Sequence, residues 1–526
     1  MLAAALGGAL YFLGYVGFGV WPCMAAFLVP LWWALDRRCG GTRRALLLGG
    51  TFGLVAYAGG FGWLWHLVGP FLGGDILVGA ALWGGYGVAF ALGFAVYAGL
   101  YAALRRRGSP VALAGVAPLL LVEWLQLQIF PLYAGNALVS VPAAPIWLQT
   151  ADLGGPLLLS ALVGGVNVVV FETLRWWGGE RARPVAVWLT ALVVATMVVG
   201  YGGVRMAELD AASAAAPALR IGLVQANLSP LEKSTLSVVT HERHLAQTRE
   251  LLAQGDLDLV VWPETAYVRG LRLPLPIAGR PILGDLAVPL LFGASSVREE
   301  NGQRRKGNAA LLIGADGMIR DVYQKNLLIP LAEYLPLAAL VPGLRRWLPQ
   351  VDDFDAAADT PALHLGPWRL ATPICYEAIR PDFVRRMVRA AEPHLLVTLA
   401  NDAWFGDSQE PWLHLGLARL RAVEHRRYLV RATNSGISAV VDPAGRLVAR
   451  SGVLTQENLR AVVHPLEGTT VYGRIGDWPA WIAAGLVAVG LTGREARHAT
   501  RLPSRGVIIA SGATTSRPSR RRWRRW

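Results

Sequence analysis

Two stretches of this chain, residues 45–74 and 76–104, contain no Asp, Glu, Lys or Arg. Runs of that length match the ~30 Å hydrocarbon core of a bilayer, which roughly 20 apolar residues cross as a helix because a helix satisfies its own backbone polar groups. The pattern extends through residues 1–203, where only 16 charged side chains occur, grouped in short clusters. Spans are expected near 2–20, 23–35, 46–65, 76–104, 110–127, 156–171 and 185–203, with an eighth near 478–493. The second and eighth are short for a crossing.

The connecting loops alternate in charge. Loop 36–44 carries Arg37, Arg38, Arg43 and Arg44, loop 105–109 carries Arg105, Arg106 and Arg107, and loop 172–184 carries Arg175, Arg181 and Arg183. Loops 66–75 and 128–155 contain no Lys or Arg. By the positive-inside rule the arginine loops are cytoplasmic, which puts both termini inside and residues 204–477 outside. The first span lacks a basic segment before it and is followed by further spans, so it reads as an anchor and not a cleaved signal. The net charge of +14 follows largely from this topology and from ten arginines after Gly493, and is no sign of nucleic-acid binding. The tail ending RPSRRRWRRW is low-complexity and reads as a disordered extension, with anionic lipid as its contact or with none.

From Arg220 the composition becomes that of a soluble α/β domain. Apolar, β-rich runs at 220–227, 258–263, 288–297, 308–314, 369–375 and 395–400 alternate with helical stretches at 235–254, 381–391 and 412–427. Residues 207–218 read as a linker. The division expected is seven helices in 1–203, a linker at 204–219, a catalytic domain at 220–466, a return segment with the last span at 467–493, and a basic tail at 494–526.

Three segments of that domain carry chemistry. WPETA sets Glu264 directly after an apolar run; YQKNLLIPLAEYLP sets Lys325 at a strand end with Glu333 eight residues on; ATPICYEAI sets Cys375 at the end of another run, followed by Tyr376 and Glu377. Strand ends are where α/β sheets gather reactive groups on loops. A cysteine nucleophile needs a base for its proton and cationic or N–H donors for the oxyanion it creates. Glu264, Lys325 and the Tyr376 N–H can fill those places. Singly, each has an ordinary reading: a buried small residue, a solvated turn acid, a surface lysine. It is their conjunction that departs from those readings. None of the nine histidines lies in a recognisable nucleophile–base motif, which leaves spatial pairing open. The three cysteines, Cys23, Cys39 and Cys375, form no disulfide framework and no zinc spacing.

Taken in order, these motifs resemble the Glu-Lys-Cys pattern of the nitrilase, or carbon–nitrogen hydrolase, superfamily. NDAWFGDS (401–408) and RLRAVEHRRYLVRATNSG (419–436), together with the spans, resemble its apolipoprotein N-acyltransferase branch from about residue 10 to 493. The resemblance implies an outward αββα sandwich inserted in a bundle of about eight transmembrane helices of a bacterial cytoplasmic membrane. It implies that an acyl chain passes from a phospholipid to the α-amino group of a diacylglyceryl apolipoprotein, in ping-pong fashion through a Cys375 thioester. Glu264 is then base and acid and Lys325 the oxyanion partner, with Glu333, Tyr376, Glu377 and Asn308 supporting. No metal or organic cofactor is implied.

Departures from the branch pattern fall at Ala226, Ser234, Ala332 and Gln126. Ala332 stands where glycine is usual, which predicts a differently shaped loop before Glu333. Glu123, in VEWLQ inside an expected span, reads as a polar anchor near the outer interface, and Asp152 as a loop residue. Phe71, Phe130, Tyr133 and Trp147, in the uncharged loops, either line acyl-chain access or pack at the membrane interface. The alternatives to acyl transfer are a membrane-anchored amidase or nitrilase and a non-catalytic lipoprotein-binding scaffold.

Overall fold

The computed structural model describes residues 1–493 except 16–17, 39–40, 69–73, 130–143, 230–231, 234–236, 274–277, 301–302, 337, 339–342, 348–350 and 352. The tail from 494, Cys39, Phe71, Phe130, Tyr133 and Ser234 therefore lie outside the described residues. Helices form at Leu2–Leu13, Val29–Arg38, Thr42–Gly60, Ile76–Arg106, Val111–Ile129, Ala151–Trp177, Val185–Ala215 and Trp478–Thr492. Four of them, from Ile76, Val111, Ala151 and Val185, are long and apolar enough to cross a membrane, while Leu2–Leu13 and Trp478–Thr492 are apolar but shorter. The last of the four leaves Leu189, Leu192, Val193 and Met197 more than half exposed. Such a stripe is costly in water and needs a lipid or protein partner.

Three elements differ from their sequence expectations. The helix expected over 2–20 stops at Leu13, because Gly14 caps it and Gly19 adopts φ +78°; a 3₁₀ turn, Trp21–Ala25, follows. Asn167 satisfies the irregular backbone there, accepting from Leu28 N at 2.9 Å and donating to Met24 O at 2.8 Å. The span near 156–171 is a longer helix, kinked at Gly154–Gly155 just before Pro156. The expected linker is helical as far as Ala215, since its alanine-rich composition favours extending the helix before it. Among the membrane helices, Thr42–Gly60 meets Ile76–Arg106 along Gly49 and Gly53, where a Cβ on Gly49 would stand 2.1 Å from the Phe94 carbonyl oxygen. Small residues one turn apart allow this close backbone approach.

Among the described residues the α/β region holds thirteen strands: β1 (Leu219–Gln225), β2 (Leu259–Val261), β3 (Tyr267–Leu273), β4 (Leu290–Glu300), β5 (Gln303–Ile313), β6 (Ile319–Gln324), β7 (Leu363–Leu365), β8 (Trp368–Ala371), β9 (Leu395–Ala400), β10 (Leu429–Thr433), β11 (Ala439–Val441), β12 (Leu447–Arg450) and β13 (Glu457–Val463). One sheet runs β13-β1-β2-β4-β5-β6 with β3 on β4, and the other runs β12-β11-β10-β9-β8-β7. Strand periodicity divides their side chains. Ile221, Leu223, Leu259, Val261 and Leu291 face the second sheet's Leu370, Leu395, Val397 and Val430. Val224, Val260, Trp262, Leu290 and Phe292 instead pack with Leu245 and Leu251 of helix Ser237–Ala253. Phe383 and Met387 of Pro381–Ala391, with Ala418 and Ala422 of Glu410–His425, cover the second sheet. Four layers result: helix, sheet, sheet, helix.

Asp152 fastens the two halves of the chain, contrary to its reading as a loop residue. It is buried, pairs with Arg426 at 2.7 Å, accepts from Tyr201 at 2.7 Å and lies 3.4 Å from Arg205. Arg426 also donates to the Gln149 carbonyl at 2.9 Å. The sequence hides this pairing because its partners are 274 residues apart. Removing one member of a buried pair strands the other, so Asp152→Ala is expected to cost about 3–5 kcal/mol, read as a lowered midpoint of thermal unfolding in detergent.

Candidate active site

Each reactive side chain projects from the end of a strand. Glu264 follows β2, where the turn 263–265 lies directly on β4: a Cβ on Gly293 would come within 2.5 Å of the Thr265 nitrogen. Lys325 follows β6 and continues its pairing, its N–H donating to the Asn308 carbonyl of β5 at 2.8 Å. Cys375 follows β8, extended through an Ile374–Leu399 bridge, and opens the 3₁₀ turn Cys375–Ile379. Three non-glycine residues beside these groups adopt left-handed backbone: Thr265 at φ +50°, Cys375 at +52° and Leu331 at +66°. Strain of about 1–3 kcal/mol per residue persists only where surroundings enforce it, and it gathers at working sites. The left-handed residue before Glu333 is thus Leu331; Ala332 carries no such penalty, and the shape predicted from it does not arise from its Cβ.

Lys325 is fully buried and lies between two carboxylates. Its Nζ is 2.8 Å from Glu333 Oε1 and 3.3 Å from Glu264 Oε1. Asn308 Nδ2 donates to both acids, at 2.6 Å to Glu264 and 3.2 Å to Glu333, and Glu333 Oε2 accepts from Ile329 N at 2.8 Å. Burial disfavours the ammonium, but Glu333, Glu264 and Cys375 outweigh it and hold the Lys325 pKa above its ordinary value. Burial, reinforced by Glu264, pushes the Cys375 thiol well up, against the pull of Lys325. A thiol raised in this way needs a base if it is to act as a nucleophile. Lys233 donates to the Glu264 carbonyl at 3.2 Å, and burial draws it down to about 8.

Glu377 serves the backbone. Its carboxylate accepts from Ile374 N at 2.8 Å, Asn326 N at 2.6 Å, Leu327 N at 2.9 Å and Tyr323 OH at 2.7 Å. It therefore ties the nucleophile's turn to the loop leaving Lys325. Tyr376 is buried and lines the cavity described below.

Spatial pairing of a histidine, left open by the sequence, is realised beneath the nucleophile. His414 Nε2 lies 3.2 Å from the Cys375 carbonyl and Nδ1 lies 2.9 Å from Asp402 Oδ1, while Arg431 meets Asp402 Oδ2 at 2.8 Å. His414 thus touches the carbonyl of Cys375. Its only sequence signal is its place four residues after Glu410, on one helix face. Burial works against the Asp402 charge, but His414 and Arg431 hold its pKa at about 2. Asp402, Glu410 and His414 offer metal-ligand atoms within 4.8 Å of one another. Arg431 already neutralises the acid that would bind first, so the donor set fits an ion-paired network better than a cation.

Cys375 opens into an apolar cavity of about 210 Å³ walled from both halves: Trp63, Leu64, Trp83 and Tyr86 on one side, Tyr376 and Leu413 on the other. A second, more open cavity of about 490 Å³ shares Pro330 and Tyr376 with it and adds Asn326, Tyr334, Asp353 and Arg380. Glu123 is buried and has partners of its own. Trp147 stands partly exposed on the short helix Pro145–Leu148 and is not part of either wall.

A buried Glu–Lys–Cys cluster on a two-sheet α/β domain defines the carbon–nitrogen hydrolase class, and residues 220–463 match that family, described as carbon-nitrogen hydrolase. Residues 7–169 match the apolipoprotein N-acyltransferase N-terminal domain. An apolipoprotein N-acyltransferase of Azotobacter vinelandii is 34% identical over 508 residues, covering 93% of each chain. One from Pseudomonas aeruginosa is 30% identical over 532 residues, covering 95% of this chain and 97% of its own. The chain belongs to the apolipoprotein N-acyltransferase family, and it is an acyltransferase and a bacterial membrane protein. Among solved structures, Saccharomyces cerevisiae Nit3 of the nitrilase superfamily is 18% identical with a TM-score of 0.36, covering 47% of this chain and 90% of its own. An amidase from Nesterenkonia sp. is 20% identical with a TM-score of 0.34, covering 49% and 92%.

Two expectations follow from the geometry. Because the Cys375 thiol is held high, its alkylation by iodoacetamide, followed by peptide mass spectrometry, is slow at pH 7 and rises about tenfold per pH unit through pH 9. Glu377→Gln replaces an acceptor by an N–H donor against four donors. It is expected to cost about 2–3 kcal/mol of stability and most of the activity, read by thermal unfolding and by product formation.

Proposed function

We propose that this enzyme moves an acyl chain from a phospholipid, through a thioester on Cys375, to the free α-amino group of a diacylglyceryl apolipoprotein. The observation that carries the reading is the cavity at Cys375, whose walls come jointly from the α/β domain and from the helical half. A nucleophile acting on a water-soluble amide has no use for such walls, whereas one acting on a lipid ester must meet an apolar chain beside the bilayer.

In the first half-reaction Glu264 takes the thiol proton as Sγ attacks the ester carbonyl. Lys325 and the Tyr376 N–H answer the oxyanion, which keeps the developing charge in a dry, preorganised site. The C–O bond breaks, the lysophospholipid oxygen receives the proton from Glu264, and the acyl chain stays on sulfur. In the second, the acceptor nitrogen attacks the thioester, its proton passes to Glu264, C–S breaks, and the thiolate regains the proton. Glu333 and Asn308 fix the Glu264–Lys325 geometry and Glu377 fixes the nucleophile turn. The second cavity, which adds Asn326, Asp353 and Arg380 to its apolar lining, is suited to a headgroup or to the acceptor's peptide.

The positive-inside pattern supports eight crossings of the cytoplasmic membrane, with residues 220–466 on the periplasmic face as the catalytic domain. The return segment and last span (467–493) then lead into the basic tail at the cytoplasmic surface. The three helices not reaching full span length, Leu2–Leu13, Val29–Arg38 and Trp478–Thr492, would cross with help from flanking turns.

Intact-protein mass spectrometry of detergent-purified enzyme incubated with a defined phospholipid tests the reading. One acyl mass is expected on the wild type and none on Cys375→Ala, and a diacylglyceryl peptide should remove that mass and gain it. Discharge to water alone would make the protein a lipid hydrolase.

A further inference from the structure

The helix Glu410–His425 presents Glu410 and His414 one turn apart beneath Cys375. The charges around them are largely matched. Asp402 is answered by His414 at 2.9 Å and by Arg431 at 2.8 Å, and the other His414 nitrogen is taken by the Cys375 carbonyl. Glu410 stands outside these pairings. Its Oε1 is 3.6 Å from a His414 nitrogen already engaged by Asp402. Its Oε2 has no hydrogen-bond partner among the described residues, although Glu410 is only 8% exposed. Glu410 lines the same apolar cavity as Cys375. A buried carboxyl oxygen left idle costs stability that hydrophobic surroundings do not return, unless something arrives to use it.

We infer that Glu410 is a binding group for a primary ammonium in the cavity at Cys375. The inference rests on the acyl-transfer reading and deepens it, because both substrates of that reaction can bring such a group. One source is the acceptor's α-amine, protonated in part at neutral pH; the other is an ethanolamine headgroup on the donor. An ammonium supplies N–H donors and a compact positive charge, which the idle oxygen lacks. A metal ion would have to displace the His414–Asp402 bond beside the Arg431 charge. Burial together with the Asp402 charge pushes the Glu410 carboxyl well up, so the empty site favours the neutral acid and an arriving cation favours the charged one. Glu410 holds and orients the nitrogen. Where the ammonium is the acceptor's, it gives one proton to the Glu410 carboxylate before attack, and the neutral amine then loses its second proton to Glu264 in the chemical step.

The test separates the half-reactions in Glu410→Gln, using the full-length enzyme in detergent and mass spectrometry of the acyl-enzyme. If the acceptor is held, Glu410→Gln acylates at the wild-type rate from both phosphatidylglycerol and phosphatidylethanolamine. Its transfer to a diacylglyceryl peptide then shows an apparent KM raised about tenfold to a hundredfold. If the headgroup is held, acylation slows by that factor with phosphatidylethanolamine and not with phosphatidylglycerol, while transfer is unchanged. Glu410→Asp, which retains the carboxylate, recovers part of either loss. Unchanged behaviour in both half-reactions overturns the inference, and so does an equal slowing with both donors and the acceptor, which marks a packing defect. Failure of the wild type to acylate at all, or to transfer to an amine, defeats the acyl-transfer reading itself and is told apart by needing no variant.

Discussion

A lysine with no exposed surface keeps its charge only if the protein replaces the water it has lost. Lys325 is in that position, and the arrangement around it follows from the requirement. Glu333 and Glu264 supply the opposing charge, Asn308 bridges the two acids, and Ile329 N caps the outer oxygen of Glu333. These partners come from β2, β5, the end of β6 and the loop beyond it, so the ammonium fixes how four segments meet. The left-handed backbone at Thr265 and Leu331 flanks the same acids. The cost of that strain is offset by the charge network it closes.

The cysteine side of the site is organised differently. Cys375 stands at +52° in φ with its thiol unionised, and two separate devices hold its turn. Glu377 gathers amides from the nucleophile turn and from the lysine loop, while His414 reaches the Cys375 carbonyl from below. The reactive atom is therefore placed by groups that leave it free.

What the sequence made readable followed local rules. Uncharged runs mark apolar helices because hydrocarbon excludes charge, and alternate residues such as Val260 and Val261 separate onto two cores because strand side chains alternate. The strand-end placement of Glu264, Lys325 and Cys375 was readable for the same reason: each follows directly on an apolar β run. What escaped depends on distance in the chain. Asp152 gives no hint of Arg426, nor Cys375 of His414, since neither pairing leaves a periodic trace. The break after Leu13 escaped because apolar composition does not distinguish a helix from a glycine-interrupted turn. The helix through the expected linker escaped because small-residue composition fits a flexible link and a helix alike, and alanine propagates the helix.

The helix Val185–Ala215 has 31 residues, which at 1.5 Å of rise each is about 46 Å, half again the ~30 Å of hydrocarbon. Its apolar first part and its polar end are one rigid rod, and near that end Asp210 grips Arg446 at 2.6 Å. Such a rod is a gauge of height. The distance from the edge of the hydrocarbon to the sandwich is set by a count of residues, and each one inserted would lift the grip by about 1.5 Å and swing it about 100° around the axis. The register of a single helix thereby governs how far the sandwich, and Cys375 with it, stands from the apolar part of that helix.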